Sequence, residues 1–424
     1  MLSNVLAPML ARHGIHYGWL VAAATFATML STAAAMGMPG VMLLPLHQEF
    51  GWSTSAISGA LALRLVLFGL AAPFAAAVQQ RYGVRATVIA SMCLIVGGLA
   101  LASTMTELWQ LWLYWGVMVG AGTGMTAMVL GATIASRWFV ARRGLVIGVL
   151  TASNATGQLA FLPLAASLTT NFGWRVALIP ALVACAVAAV LMVLVIRDYP
   201  ADVGLPAFGD TRLAPPPPRA AGAARLAVRT LADASGEPVF WMLFATFFVC
   251  GLSTNGLIQT HFISLCADYG MAAVAAASML ALMGAFDFVG TIASGWLSDR
   301  YDPRWLLFWY YGLRGLSLLY LPFSGFGYYG LAVFAVFYGL DWIATVPPTV
   351  KLAGQYFGRD KGPMVFGWVF AGHQLGAAAA ALAAGVSRDL LASYLPAFFV
   401  AGLACIMAAL AAVTVRRARR VALA

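Results

Sequence analysis

Charge is the scarcest feature of this chain: only 9% of its 424 residues are Asp, Glu, Lys or Arg, against about 25% in an ordinary soluble domain. That shortage excludes a water-soluble enzyme, a disordered chain and a coiled coil, each of which needs more polar surface than this sequence supplies. Long polar stretches are missing as well, so no large catalytic domain fits outside the apolar segments. The five cysteines (Cys93, Cys185, Cys250, Cys266 and Cys405) lie in or beside apolar runs, which gives no disulfide framework. No ATP-binding, zinc-hydrolase or nucleophile-elbow motif is present. What the chain has in abundance is hydrophobicity, at 62% of residues with a mean hydropathy of +0.89. At about 20 apolar residues per crossing, that composition describes an integral membrane protein with many helices and short loops.

Apolar runs punctuated by Gly, Pro and charge predict twelve spans, at 17–46, 53–78, 86–106, 108–135, 145–168, 174–196, 239–265, 271–297, 305–324, 327–350, 363–386 and 390–415. Arg12 ahead of the first run and the small residues Ser31 to Ala35 resemble a secretory signal, but the run continues to Leu46, too long for a cleaved segment. An even number of spans puts both termini on one side. If that side is cytoplasmic it receives twenty of the 24 Lys and Arg, the opposite side receives Arg175 and Arg388, and Arg64 and Arg314 stay inside the membrane. Basic residues favour the cytoplasmic side, so the net charge of +10 orients the chain and does not signal nucleic-acid binding. The expected location is the inner (plasma) membrane with both termini cytoplasmic.

One break in composition, residues 197–238 with Pro215 to Pro218, reads as a cytoplasmic linker. It divides the chain into an amino-terminal six-helix half, 1–196, and a carboxy-terminal one, 239–424. The halves share a pattern. Ala60 to Arg64 followed by Gln80-Arg81-Tyr82-Gly83-Val84-Arg85 aligns at constant offset with Met279 to Met283 followed by Asp299-Arg300-Tyr301-Asp302-Pro303-Arg304. Trp138-Phe139 and Gly144 likewise match Tyr356-Phe357 and Gly362.

This duplicated arrangement resembles the major facilitator superfamily, with Gly295-Trp296-Leu297-Ser298-Asp299-Arg300 through Arg304 similar to its loop signature between the second and third helix of a half. Arg137-Trp138-Phe139 through Gly148, and Asp198-Tyr199-Pro200-Ala201-Asp202-Val203-Gly204-Leu205, resemble the monocarboxylate and oxalate/formate exchanger branch. The resemblance implies an all-α membrane fold, twelve transmembrane helices in two six-helix halves. Gating is expected at Asp299, Arg300, Gln80 and Arg81. Asp299 is placed to meet the start of span 11 near Pro363, where a helix N-terminus favours an anion, whereas Gln80 brings no charge to the matching loop.

An ionisable group inside the bilayer is costly and marks a site with a partner to be named. This chain has Arg64 on span 2, Asp287 on span 8, Arg314 on span 9, Asp341 on span 10 and His373 on span 11. The resemblance puts span 9 at the lipid boundary, so Arg314 is expected to turn inward to a carboxylate, Asp341 first and Asp287 second. The resemblance also implies that spans 2, 5, 8 and 11 meet between the halves, which would bring together Arg64, Asn154, Gln158, Asp287, His373 and Gln374. Arg64, Asn154, Gln158, His373 and Gln374 are the candidate substrate contacts and Asp287 the candidate proton carrier. For Arg64 the competing role is hydrogen bonding to backbone carbonyls. The monocarboxylate branch carries an arginine four residues after the acid; here Thr291 stands there, which leaves Arg64 to supply the cation.

Gly120-Ala121-Gly122-Thr123-Gly124 reads as close helix packing rather than a phosphate loop. Span 4 also lacks the arginine of the drug-antiporter signature. Met279, Met283, His261, Cys250 and Cys266 offer soft ligands of the kind a copper importer uses, although methionines at helical spacing are more often packing. The chain is thus expected to be no enzyme, to need no cofactor or bound metal, and to work as a monomer in the lipid bilayer. It would move a small organic anion with protons by alternating access, without nucleic acid. A drug exporter, a copper importer and a non-transporting receptor are the rivals.

Overall fold

The computed structural model describes residues 2–126, 128–215 and 222–414. Among the described residues there is no strand, and twelve long helical rods carry the fold: α1 (Tyr17–Phe50), α2 (Thr54–Tyr82), α3 (Val84–Ala102), α4 (Leu108–Trp138), α5 (Arg143–Phe172), α6 (Trp174–Val195), α7 (Pro238–Asp268), α8 (Ala273–Arg300), α9 (Pro303–Tyr320), α10 (Tyr328–Gly358), α11 (Lys361–Leu391) and α12 (Leu395–Thr414). Ten of them are long and apolar enough to cross a membrane on that basis alone; α9, with Arg304 and Arg314 in 18 residues, is not among the ten. The first rod runs to Phe50, past the expected end at Leu46, and bends at Met38-Pro39, where two helical segments join.

Local chemistry sets the boundaries. Ser53 caps α2 by accepting the Ala56 N–H at 3.2 Å, and Asp302 caps α9 by accepting the Arg304 N–H at 3.1 Å. Between α10 and α11 the chain turns at Gly358, whose φ of +80° suits only a residue without a side chain.

Helices α1–α6 and α7–α12 form the two six-helix halves, which meet along α2 with α11 and α5 with α8. The linker crosses one end of the bundle, here called the linker face. It is not featureless: Ala223–Ser235 is an amphipathic helix with Ala227, Thr230 and Ala234 buried. It packs on both α2 and α11, and Trp368 Nε1 of α11 donates to the Ala227 carbonyl at 3.0 Å. The two stretches similar to the exchanger branch also meet on this face. Phe208 N–H donates to the Trp138 carbonyl at 2.8 Å, and Arg137 lies over the Tyr199 ring at 4.5 Å. Asp198 Oδ1 accepts the Arg85 N–H at 2.8 Å, at the start of α3.

The opposite face is held differently. Asp389, near the end of α11, accepts the Thr54 N–H at 3.1 Å and the Ser55 N–H at 2.8 Å, so one half caps the first turn of a helix in the other. Close packing continues below it, since a Cβ on Gly385 would stand 2.5 Å from Ser58 Oγ.

Candidate functional site

The polar groups of the membrane interior organise around a break in α10. Its helical hydrogen bonding stops after Asp341 and resumes at Val346, leaving Trp342 to Thr345 as turns. Pro347 and Pro348 contribute, because a proline offers no N–H and disfavours helical geometry in the residue before it. Backbone groups freed by such a break must find partners when no water is at hand. Here side chains from two neighbouring helices supply them, and a third helix touches a side chain of the break. From α9, Arg314 Nη2 donates to the carbonyls of Asp341 at 2.5 Å and Trp342 at 2.9 Å. From α8, Ser294 Oγ donates to the Ala344 carbonyl at 2.5 Å, and Asp287 Oδ1 accepts the Ile343 N–H at 2.8 Å. From α7, Cys250 Sγ lies 3.3 Å from Thr345 Oγ1.

Arg314 is fully buried and spends its remaining donors nearby, with Nε on Asp341 Oδ2 at 2.8 Å and Nη1 on Cys250 Sγ at 3.0 Å. The guanidinium therefore splints the broken helix and offers nothing to a solute. Of the two acids, Asp341 makes the ion pair. Asp287 makes none among the described residues; besides Ile343 its Oδ1 accepts only from Thr291 Oγ1, at 3.1 Å.

Asp287 lines a cavity of about 410 Å³ between the halves. Around it stand the α11 pair His373 and Gln374 and the α7 residues Thr254, Asn255 and Gln259. The lining reaches toward the linker face, through Gly148, Gly295 and Phe366. His373 packs against Phe247 and stacks on Phe370, with centroids at 5.0 and 5.7 Å. Its Nδ1 and the Oε1 of Gln374 are buried without hydrogen-bond partners among the described residues. An acid, an imidazole and several carboxamides thus share a space of small-molecule size, in walls that are otherwise largely apolar.

Arg64 departs from its expected placement. It is 2% exposed and absent from the cavity lining; Nη1 donates to the Met36 carbonyl at 3.1 Å, and it is Met36 that faces the cavity. Among the described residues no carboxylate pairs with Arg64, and its Nε is left without a partner. The side chains of Asn154, Gln158 and Gln80 lie outside the described residues.

The expected contact of Asp299 with the start of α11 is not formed. Asp299 is exposed and makes no hydrogen bond or ion pair among the described residues; Lys351 of α10 instead donates to the neighbouring Ser298 carbonyl. Arg300 folds over Trp296 at 4.0 Å, and Arg81 is exposed beside the Tyr82 ring. A carboxylate does sit at a helix N-terminus between the halves, but it is Asp389 at the opposite face. The histidine and cysteines of the soft-ligand set do not form a metal-holding group among the described residues. His261 Nε2 donates to the Ala381 carbonyl at 2.8 Å, and no group of three or more His, Cys, Asp or Glu that could hold a metal occurs among the described residues.

Three comparisons bear on this arrangement. The family model described as Major Facilitator Superfamily matches residues 21–350 and 267–423. Monocarboxylate transporter 13 of Rattus norvegicus is 27% identical over 91% of this chain and 86% of its own length. An uncharacterized MFS-type transporter of Bacillus subtilis, YcxA, is 24% identical over 89% and 90%. Among solved structures, a D-xylose-proton symporter superposes with a TM-score of 0.72 over 93% of this chain and 97% of that one; at 13% identity it speaks to the fold alone.

Proposed function

Since this chain belongs to the Major Facilitator Superfamily and is a membrane transporter rather than an enzyme, we propose that it carries a small organic anion, a mono- or dicarboxylate, together with protons by alternating access. The observation that carries this reading is Asp287, a carboxylate that has no ion-pair partner among the described residues and lines a cavity between the halves. Left charged, it repels an entering anion. With a proton added the repulsion disappears, so the two ligands enter together. The similarity to proteins named monocarboxylate transporters supports the choice of anion.

Arg64 is the cation for the substrate carboxylate. Its single hydrogen bond to a carbonyl is replaced by charge-assisted bonds to the anion as the halves rearrange and Met36 withdraws. His373 and Gln374 complete the contacts from α11, and Asn154 and Gln158 those from α5. On this reading the linker face is cytoplasmic, the protein is a monomer of the inner (plasma) membrane, and the halves comprise residues 1–196 and 239–424.

Uptake of labelled carboxylates by proteoliposomes is the test. Accumulation driven by a proton gradient supports the proposal. Export of amphipathic drugs, uptake of Cu(I), or binding without flux would each replace it. Cysteine placed at Gly222 should react with impermeant reagents only after the membrane is opened; labelling in intact cells would overturn the orientation.

A further inference from the structure

The geometry points to the linker helix, Ala223–Ser235, as a docking site for the phosphate headgroups of anionic lipids, at a place where it touches both halves of the bundle. Neither the cargo of the central cavity nor the orientation of the chain enters into this.

Indole contacts set the depth at which the helix lies. The apolar span of α2 runs from Thr54 to Ala75. Phe74, next to its last residue, meets the Trp368 ring of α11 at 5.6 Å, and the Trp368 indole is the group that donates to the Ala227 carbonyl. Further along the helix, Nε1 of Trp241, an exposed residue at the start of α7, donates to the Ser235 carbonyl at 2.8 Å. The helix is thus pinned by two tryptophans at the level where an apolar span ends, which is where tryptophan settles between acyl chains and headgroups.

At about 100° per residue, Ala227, Thr230 and Ala234 share the buried face, and Arg225 and Arg229, one turn apart, point the opposite way. Leu226 and Val228 flank the arginines and are 54% and 51% exposed. Of the three charges on the helix, Asp233 is taken by Lys361 Nζ at 2.9 Å. The two arginines are exposed and make no hydrogen bond or ion pair among the described residues. Two unspent guanidinium groups between exposed apolar side chains, at the edge of the apolar layer, match an anionic lipid. Its phosphate oxygens take charge-assisted hydrogen bonds from arginine, and its acyl chains cover Leu226 and Val228. A soluble phosphate would satisfy the arginines and leave those side chains in water. Because the helix packs on α2 of one half and α11 of the other, a lipid held there strengthens the bridge between them.

The experiment titrates delipidated full-length protein in detergent with phosphatidylglycerol and with phosphatidylcholine of the same acyl chains, and counts bound lipid by native mass spectrometry. The native protein should retain phosphatidylglycerol in preference. Each arginine near an anionic headgroup is worth about fivefold in binding, so Arg225→Gln with Arg229→Gln should lower retention of phosphatidylglycerol by about 30-fold and leave that of phosphatidylcholine unchanged. Phosphatidylglycerol should also raise the melting temperature of the native protein and not that of the variant. Equal retention of the two lipids by the native protein overturns the inference whether or not the variant folds, and so does a preference that survives in folded variant. Displacement of the lipid by inorganic phosphate would assign the arginines to a soluble ion and overturn the lipid docking.

Discussion

The two halves follow one sequence pattern but distribute their buried charge in opposite ways. In the second half Arg314, Asp341 and Asp287 sit around the broken α10; one cation is neutralised by one acid, and a second acid, without an ion pair among the described residues, lines the cavity. Among the described membrane-interior residues of the first half Arg64 is the one buried charge, answered by a carbonyl. A buried charge met only by a dipole is poorly compensated, so the first half is short of an anion while the second holds an acid able to give up its charge. The difference assigns separate tasks. On the proposed reading the second half would carry the proton and the first would receive the negative charge that the substrate brings.

The largest effect that would break this comparison comes from Arg314. Arg314→Leu leaves Asp341 and two carbonyls of α10 unpartnered and should cost about 3–5 kcal/mol of stability, read as a large fall in melting temperature or loss of monodisperse protein in detergent. Adding Asp341→Leu should restore much of it, while adding Asp287→Leu should not. Next is Arg64→Gln, expected to weaken substrate binding by about 10- to 100-fold, the range of a lost hydrogen bond to a charged group, with little change in melting temperature. An equal loss of stability in both variants would erase the contrast between the halves.

Asp287→Asn sharpens the division of labour. It should preserve binding and exchange yet abolish acceleration of uptake by external acid, so the pH dependence of the native protein flattens. Folded variant that still accumulates substrate on a proton gradient like the native protein would remove Asp287 from coupling. The smallest effect belongs to Asp389→Ala, which strips a cap worth about 1 kcal/mol from α2. It should favour opening at the opposite face about fivefold, by that same 1 kcal/mol, seen as faster external labelling of a cysteine at Ser58.

Much of the fold was readable because lipid imposes a simple rule, and runs of apolar residues between charged loops leave few other solutions. The pairing of Arg314 followed from the same rule, since a lipid-side arginine needs an acid at matching depth. Features that depend on where distant helices meet were not legible. Nothing local to Asp389 shows that the first turn of α2 lies against it. The break in α10 did leave a trace, Pro347-Pro348 within an otherwise helical run, and the linker helix left one in the spacing of Ala227, Thr230 and Ala234. Asp299 misled because a sequence motif marks a loop and not the conformation in which that loop engages its partner. Asn255 was missed because Leu252–Ile258 is a π-helical turn, which changes which side chains share a face, and helical periodicity assumes 3.6 residues per turn.

Arg314 also has a consequence for biogenesis. An arginine at the centre of a nascent helix opposes lateral release into lipid by about 2.5–3.5 kcal/mol, and α9 is not among the helices apolar enough to cross on composition alone. Its partners in Asp341 and the carbonyl of Trp342 are synthesised 27 and 28 residues later. Release of α9 together with α10 would let the pair enter the bilayer already neutralised.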